Sequence, residues 1–162
     1  MTNVTAKASG GSSNSGVYNN SSSAPVMMNI TATASGGATS SNNGVFSYTS
    51  TPAMTNVTAT ASGGTSSSNT GVYNYSSTAA MTNVTATASG GESRGVYNHT
   101  SGTVKINHSL IRGSTNTIMN LSGVTTFIGN SQLDGGAISN SGTLTCVGVY
   151  DENYVALTTN CQ

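Results

Sequence analysis

Charge is scarce in this chain. Lys, Arg, Asp and Glu together make up 5% of its 162 residues, and the formal net charge is zero; an ordinary soluble domain carries about a quarter charged residues. The first 91 residues hold one charge, Lys7, and the others (Glu92, Arg94, Lys105, Arg112, Asp134, Asp151, Glu152) all lie in the last 71. With no basic cluster, the chain has nothing to neutralise a row of phosphates, so nucleic acid is not expected as a partner. No apolar run approaches the length of a membrane span, so membrane insertion is not expected either. Tryptophan is absent, and Cys146 and Cys161 are the only cysteines. They lack CxxC spacing and a nearby His, which argues against a metal site. A disulfide between them would close a loop of about 15 residues, contribute about 3 kcal/mol and pin the C-terminal end. It would also imply an oxidising compartment, hence a secreted or cell-surface protein.

What the chain has instead is repetition. Met-Thr-Asn-Val-Thr-Ala-Thr-Ala-Ser-Gly-Gly occurs at Met54 and Met81, and near-copies start at Met1 and Met27, with spacings of 26, 27 and 27 residues. A second landmark, Gly-Val-Tyr, keeps pace at Gly16, Gly71 and Gly95, with Gly44-Val45-Phe46 standing in once. A fixed period of this size signals a stacked array in which each unit needs only its neighbours. Abundant Ser, Thr, Asn and Gly with little charge is the composition of disorder, but periodic Val, Ala and Met argue for a packed interior.

In the copy at Met54, side chains alternate across a strand. Val57, Ala59 and Ala61 therefore share the inner face, and Thr58, Thr60 and Ser62 the outer one. The alternation slips at Asn56, as at a corner, and a bend there places Met54 inside together with Val57. Gly63-Gly64 end the strand. A loop at Thr65–Thr70 then leads to Val72 inward and Tyr73 outward, and the next segment returns the chain to Met81. This reads as three short strands per coil of a parallel β-helix, right-handed by the usual crossover rule. The inward columns are Met54/Met81, Val57/Val84, Ala59/Ala86 and Val72/Val96. Asn3, Asn29, Asn56 and Asn83 form a corner column suited to stacked amide bonding. Ile118 and Ile138 continue the column of Val17, Val45, Val72 and Val96 at spacings of 28, 27, 24, 22 and 20 residues. The coils thus shrink toward the C-terminus. The expected fold is all-β: one continuous solenoid of about six coils, regular over residues 1–103, with shorter degenerate coils and a cap over 104–162.

These repeats, with the ending Leu144-Thr-Cys-Val-Gly-Val-Tyr-Asp-Glu-Asn-Tyr154, resemble right-handed parallel β-helix repeat proteins of bacterial surfaces and phage-like tail fibres. The resemblance implies the fold and an extracellular structural or adhesive role. Polysaccharide lyases and glycosidases that use this architecture share only the fold with this chain. A glycosidase flanks the scissile bond with two carboxylates. Here Asp151 and Glu152 are adjacent and point apart on a strand, while Glu92 and Asp134 lie about two coils apart. His99 and His108 sit in different segments with no nucleophile motif. No catalytic residue, cofactor or metal is therefore expected, and the chain reads as a non-enzyme.

Three surface features remain. Thr5, Thr31, Thr58 and Thr85 form one outer column and Thr33, Thr60 and Thr87 a second, which Lys7 begins; Ser9, Ser35, Ser62 and Ser89 make a third. Thr is a good strand residue, so the ladder has a purely structural reading. A flat, uncharged Thr-x-Thr array also resembles the ice-binding face of insect-type antifreeze solenoids, and ice is the alternative partner. Tyr18, Phe46, Tyr73 and Tyr97 form an outward aromatic strip, readable as a stabilising ladder or as a sugar-stacking surface. Loops at Ser12–Ser15, Ala38–Asn43 and Thr65–Thr70 sit on one edge, where a rigid scaffold usually places binding, with a glycan or cell surface as partner. The chain opens inside a repeat, so the first coil is expected to abut further repeats or a second molecule end to end.

Overall fold

The computed structural model describes residues 1–162, all strand, turn and loop with no helix. The strands are β1 (Thr2–Ser9), β2 (Ser13–Asn20), β3 (Val26–Ser35), β4 (Ser41–Tyr48), β5 (Ala53–Ser62), β6 (Ser68–Tyr75), β7 (Ala79–Ser89), β8 (Glu92–His99), β9 (Gly102–Asn107), β10 (Leu110–Asn120), β11 (Val124–Gly129), β12 (Gln132–Asn140) and β13 (Thr143–Val147). Every ladder between them is parallel, and they stack into a β-solenoid of about five turns. One row of the stack runs β1–β3–β5–β7 and a second runs β2–β4–β6–β8, both continuing into β10 and then β12. The opening residues of β3, β5 and β7 form a third row that continues as β9, β11 and β13.

Three rows match the expected three segments per coil, but in the early coils the corner does not interrupt the strand. Asn3, Asn29, Asn56 and Asn83 take φ of 53–56°, and pairing resumes one residue later. A single left-handed residue turns the chain, and Asn accepts that conformation more readily than most side chains. Stacked amides then tie the corners together: Asn83 donates to Asn56, Asn56 to Asn29 and Asn29 to Asn3, at 2.8–3.0 Å. From β9 onward the column continues as His108, Asn130 and Gly148, still with positive φ, and there the strand does break in two.

The inner columns lie in register. Met27, Met54, Met81, Ile106, Ile128 and Cys146 form one; Ile30, Val57 and Val84 another; Val17, Val45, Val72, Val96 and Ile118 a third. All are buried. Ala32, Ala59 and Ala86 face the glycine column of Gly16, Gly44 and Gly71, where the two rows approach closely. A Cβ on Gly71 would meet the carbonyl oxygen of Gly95 at 2.7 Å and the backbone nitrogen of Thr87 at 2.8 Å. The section is therefore flattened, with alanine and glycine at the narrow side and Met, Val and Ile filling the wide one. As the coils shorten, Ile111 and Leu133 replace the alanines.

The expected loops are shorter than read. Ser13–Ser15, Ser41–Asn43 and Ser68–Thr70 already belong to β2, β4 and β6. Asn14, Asn42 and Asn69 are buried, Asn14 donating to Asn42 and Asn42 to Asn69, and Asn69 donates to the carbonyls of Ser89 and Gly90. Polar composition suggested a solvated loop; an amide ladder inside the coil satisfies these groups instead. At the C-terminal end Cys146 and Cys161 are joined, with Cα atoms 5.3 Å apart. The tail folds back, with the Cys146 amide bonded to the Thr159 carbonyl and the Leu157 amide to that of Val149. At the other end β1 and β2 each pair with one neighbour only. Val4 and Ala6 there are only partly buried, while Ile30 and Ala32, one layer in, are fully buried.

Candidate functional site

The threonine columns stand on β1, β3, β5 and β7 as the alternation requires. Thr5, Thr31, Thr58 and Thr85 are direct register partners, as are Lys7, Thr33, Thr60 and Thr87, and Ser9, Ser35, Ser62 and Ser89. Inner neighbours Ala32, Ala59 and Ala86 are fully buried, whereas every threonine of the two columns keeps solvent contact. Rows are separated by about 4.8 Å and alternate residues along a strand by about 6.6 Å, so hydroxyls and methyls form a flat lattice. None of these seven hydroxyls bonds to another protein group, unlike those of Thr78, Thr115 and Thr126, which are engaged. The face is left free to bond water or a ligand. It ends where Leu110 and Arg112, then Gln132 and Asp134, occupy the same positions, and Arg112 pairs there with Asp134.

The aromatic strip also lies in register, on β2, β4, β6 and β8. Ring centroids are 5.1 Å apart for Tyr18–Phe46, 4.8 Å for Phe46–Tyr73 and 4.7 Å for Tyr73–Tyr97, the last two pairs nearly coplanar in orientation at 11° and 10°. Beside it runs a second column that sequence reading missed. Tyr48 stacks on Tyr75 at 5.1 Å, and His99 meets Tyr75 edge-on at 4.9 Å. The signal was present, since Tyr48 and Tyr75 recur at the coil period two residues beyond Phe46 and Tyr73. Stacking covers the ring faces and turns their edges to solvent, which supports the ladder reading, because sugar stacking needs a free face. Burial, reinforced by Tyr97 and Tyr75, pushes the Tyr73 phenol up to about 12, and burial also raises Tyr97. Arg94 lies 5.0 Å from the centre of the Tyr97 ring and pairs with Glu92 at 2.7 Å.

The carboxylates are not brought together. Glu92 is held by Arg94 and Asp134 by Arg112, while Asp151 Oδ1 accepts the amides of Asn153 and Val155. No three His, Cys, Asp or Glu side chains are grouped to hold a metal ion. His99 sits beside the aromatic ladder, 3.3 Å from the Tyr73 hydroxyl. His108 occupies the corner column instead, so the two imidazoles share no site. Comparison with family models, curated proteins and solved structures finds no match for the chain.

Proposed function

We propose that this chain is a non-catalytic, extracellular structural and adhesive module: a rigid rod whose flat threonine face rests on a glycan or cell surface. The observation that carries this is the register of the unengaged hydroxyls of Thr5, Thr31, Thr33, Thr58, Thr60, Thr85 and Thr87. A repeated hydroxyl lattice on a stiff scaffold suits a partner that is itself repetitive. The tethering of Glu92, Asp134 and Asp151 to nearby groups supports a reading without catalysis, and the Cys146–Cys161 bond supports an oxidising location. The glycine- and serine-rich edge loops take a smaller share of the contact than their length in sequence suggested. The open layer of β1 and β2 is where a second molecule stacks end to end.

A second reading, ice binding, is favoured by the same lattice, because methyls and free hydroxyls at regular spacing are suited to ordering water. Thermal hysteresis and ice shaping separate the two. Hysteresis in the wild type that disappears in Thr58→Lys/Thr60→Lys identifies ice as the partner; none in the wild type leaves the glycan or cell-surface reading in place.

A further inference from the structure

Where the threonine column ends, the surface becomes concave. A groove of about 440 Å³ runs along the corner between the third row and the threonine face. Its lining includes Asn83, His108, Asn130, Leu110, Gln132 and Tyr150. Asn83, His108 and Asn130 are successive members of the left-handed corner column. Thr85, Leu110, Gln132 and Tyr150 succeed one another on adjacent strands, through the bridge between Gln132 and Tyr150. The groove therefore continues the first threonine column over three strand spacings, about 14 Å.

This is the place where the corner amide ladder stops. Asn83 donates to Asn56, but the next corner residue is His108, so no amide donates to the Asn83 oxygen. The side chains of His108 and Asn130 make no hydrogen bond within the protein, and the Gln132 amide makes only a 3.4 Å contact to the Asp151 carbonyl. Tyr150 is 43% exposed and, unlike the ladder tyrosines, stacks on no other aromatic ring. Its backbone is held by the bonds from the Leu133 amide to its carbonyl and from its own amide to the Ser131 carbonyl. Beneath, Ser109 and Ser131 occupy the position that Val84 and Val57 hold in earlier coils, each hydroxyl bonded to the backbone of its own coil and of the coil before. The floor is rigid and the walls carry unspent donors and acceptors.

The geometry points to a neutral-oligosaccharide subsite in this groove, with Tyr150 as the stacking platform and Asn83, Asn130, Gln132 and His108 bonding sugar hydroxyls. Side-chain amides both donate and accept, matching hydroxyls that do the same. The lining contains no carboxylate, Lys or Arg, which disfavours a charged ligand, and Leu110 and Val84 are too little aliphatic surface to anchor a peptide. The inference rests on the glycan-contact reading above but names a different site from the threonine lattice.

The test is a ¹⁵N-edited NMR titration of the whole chain with cellohexaose, chitohexaose, laminarihexaose and mannohexaose in turn. The expected result is saturable shifts with at least one of them, confined to Asn83, Asn130, Gln132, the His108 amide and the Tyr150 amide. Affinity should fall about tenfold or more in Tyr150→Ala, which removes the platform, and be largely retained in Tyr150→Phe. Gln132→Ala leaves the Tyr150 backbone untouched and is expected to weaken binding about fivefold, the loss of one or two hydrogen bonds, so the proposal does not depend on one variant folding. Shifts on the threonine columns with a silent groove would overturn the subsite and leave the threonine reading intact. No saturable shift with any of the four sugars, or equal affinity in Tyr150→Ala and Gln132→Ala, would overturn it outright.

Discussion

In the layers built by β1 to β8, the same residue recurs at nearly every position: Asn at the corner, Thr outside, Ala opposite Gly within. From β9 onward several columns change residue from coil to coil: His108, Asn130 and Gly148 at the corner, Leu110, Gln132 and Tyr150 beyond it, and Arg112 beside Asp134. Repetition lets one satisfied contact propagate, as in the corner amides and the stacked rings, and each layer is stabilised by its copies. It also makes the layers alike, so that region offers a repeated surface with smaller hollows at Thr65–Ser68 and beside Pro52 and Ala79. The irregular coils lose the amide ladder and gain an ion pair, a disulfide-bonded cap and the groove. The N-terminal half is built as a lattice, the C-terminal half from individual contacts.

The sharpest way to break the lattice is through its narrow side. Gly71→Ala places a methyl against backbone on two strands, and none of those atoms can swing away. We expect a loss of about 3 kcal/mol in denaturant unfolding. Gly37→Ala, where an added Cβ meets nothing within 4 Å, should stay within about 0.5 kcal/mol. Equal losses at the two sites would mean that the rows are not in close contact.

The two ends should respond to different perturbations. Cys146→Ser with Cys161→Ser is expected to cost about 3 kcal/mol, and hydrogen exchange should accelerate in β13 and the tail while β3 to β8 are unchanged. Exchange in β1 of the native chain should already be faster than in β3, and sedimentation should show association that grows with concentration. A strict monomer with a protected β1 would contradict the open-end reading.

Smaller effects separate the two halves of the corner column. Asn56→Ala loses amide bonds on both sides and places a Cβ-bearing residue without a polar group at positive φ, for about 2 kcal/mol in total. Asn56→Gly removes the bonds but keeps the backbone at ease, for about 1 kcal/mol. His108→Gly, at the same corner but without side-chain bonds, should change stability by no more than about 0.5 kcal/mol. A His108→Gly loss as large as that of Asn56→Ala would mean that the irregular coils also depend on their corner side chains.

Much of this fold was legible because repetition multiplies weak signals. The slip of alternation at Asn56 located the corner, and the matched columns at Met54, Val57, Ala59 and Val72 identified the interior before any contact was known. The polar runs that hold Asn14, Asn42 and Asn69 read as loops from their composition; only stacking in register satisfies such a buried column, and composition does not show register. Three short strands per coil imply a break at the corner of the early coils, but one left-handed residue turns the chain without ending the ladder. The columns behind the groove are legible, since Ile106–Gly113 and Ile128–Gly135 align with the Met phrase and place Leu110 and Gln132 after Thr85. The groove itself is not, because an alignment shows neither which side chains lose their partners nor that the surface turns concave there.

If the threonine lattice is the contact surface, cosedimentation with insoluble polysaccharide will report it. Native chain and Thr58→Lys/Thr60→Lys are compared on cellulose, chitin and insoluble mannan, with unfolding curves as a control on stability, which should differ by less than about 0.5 kcal/mol. We expect saturable binding of the native chain to at least one of these surfaces and about a tenfold loss in the double variant, because two long charged side chains lift the face from a flat partner. Undiminished binding by the double variant, or no binding by the native chain to any of the three, would contradict it.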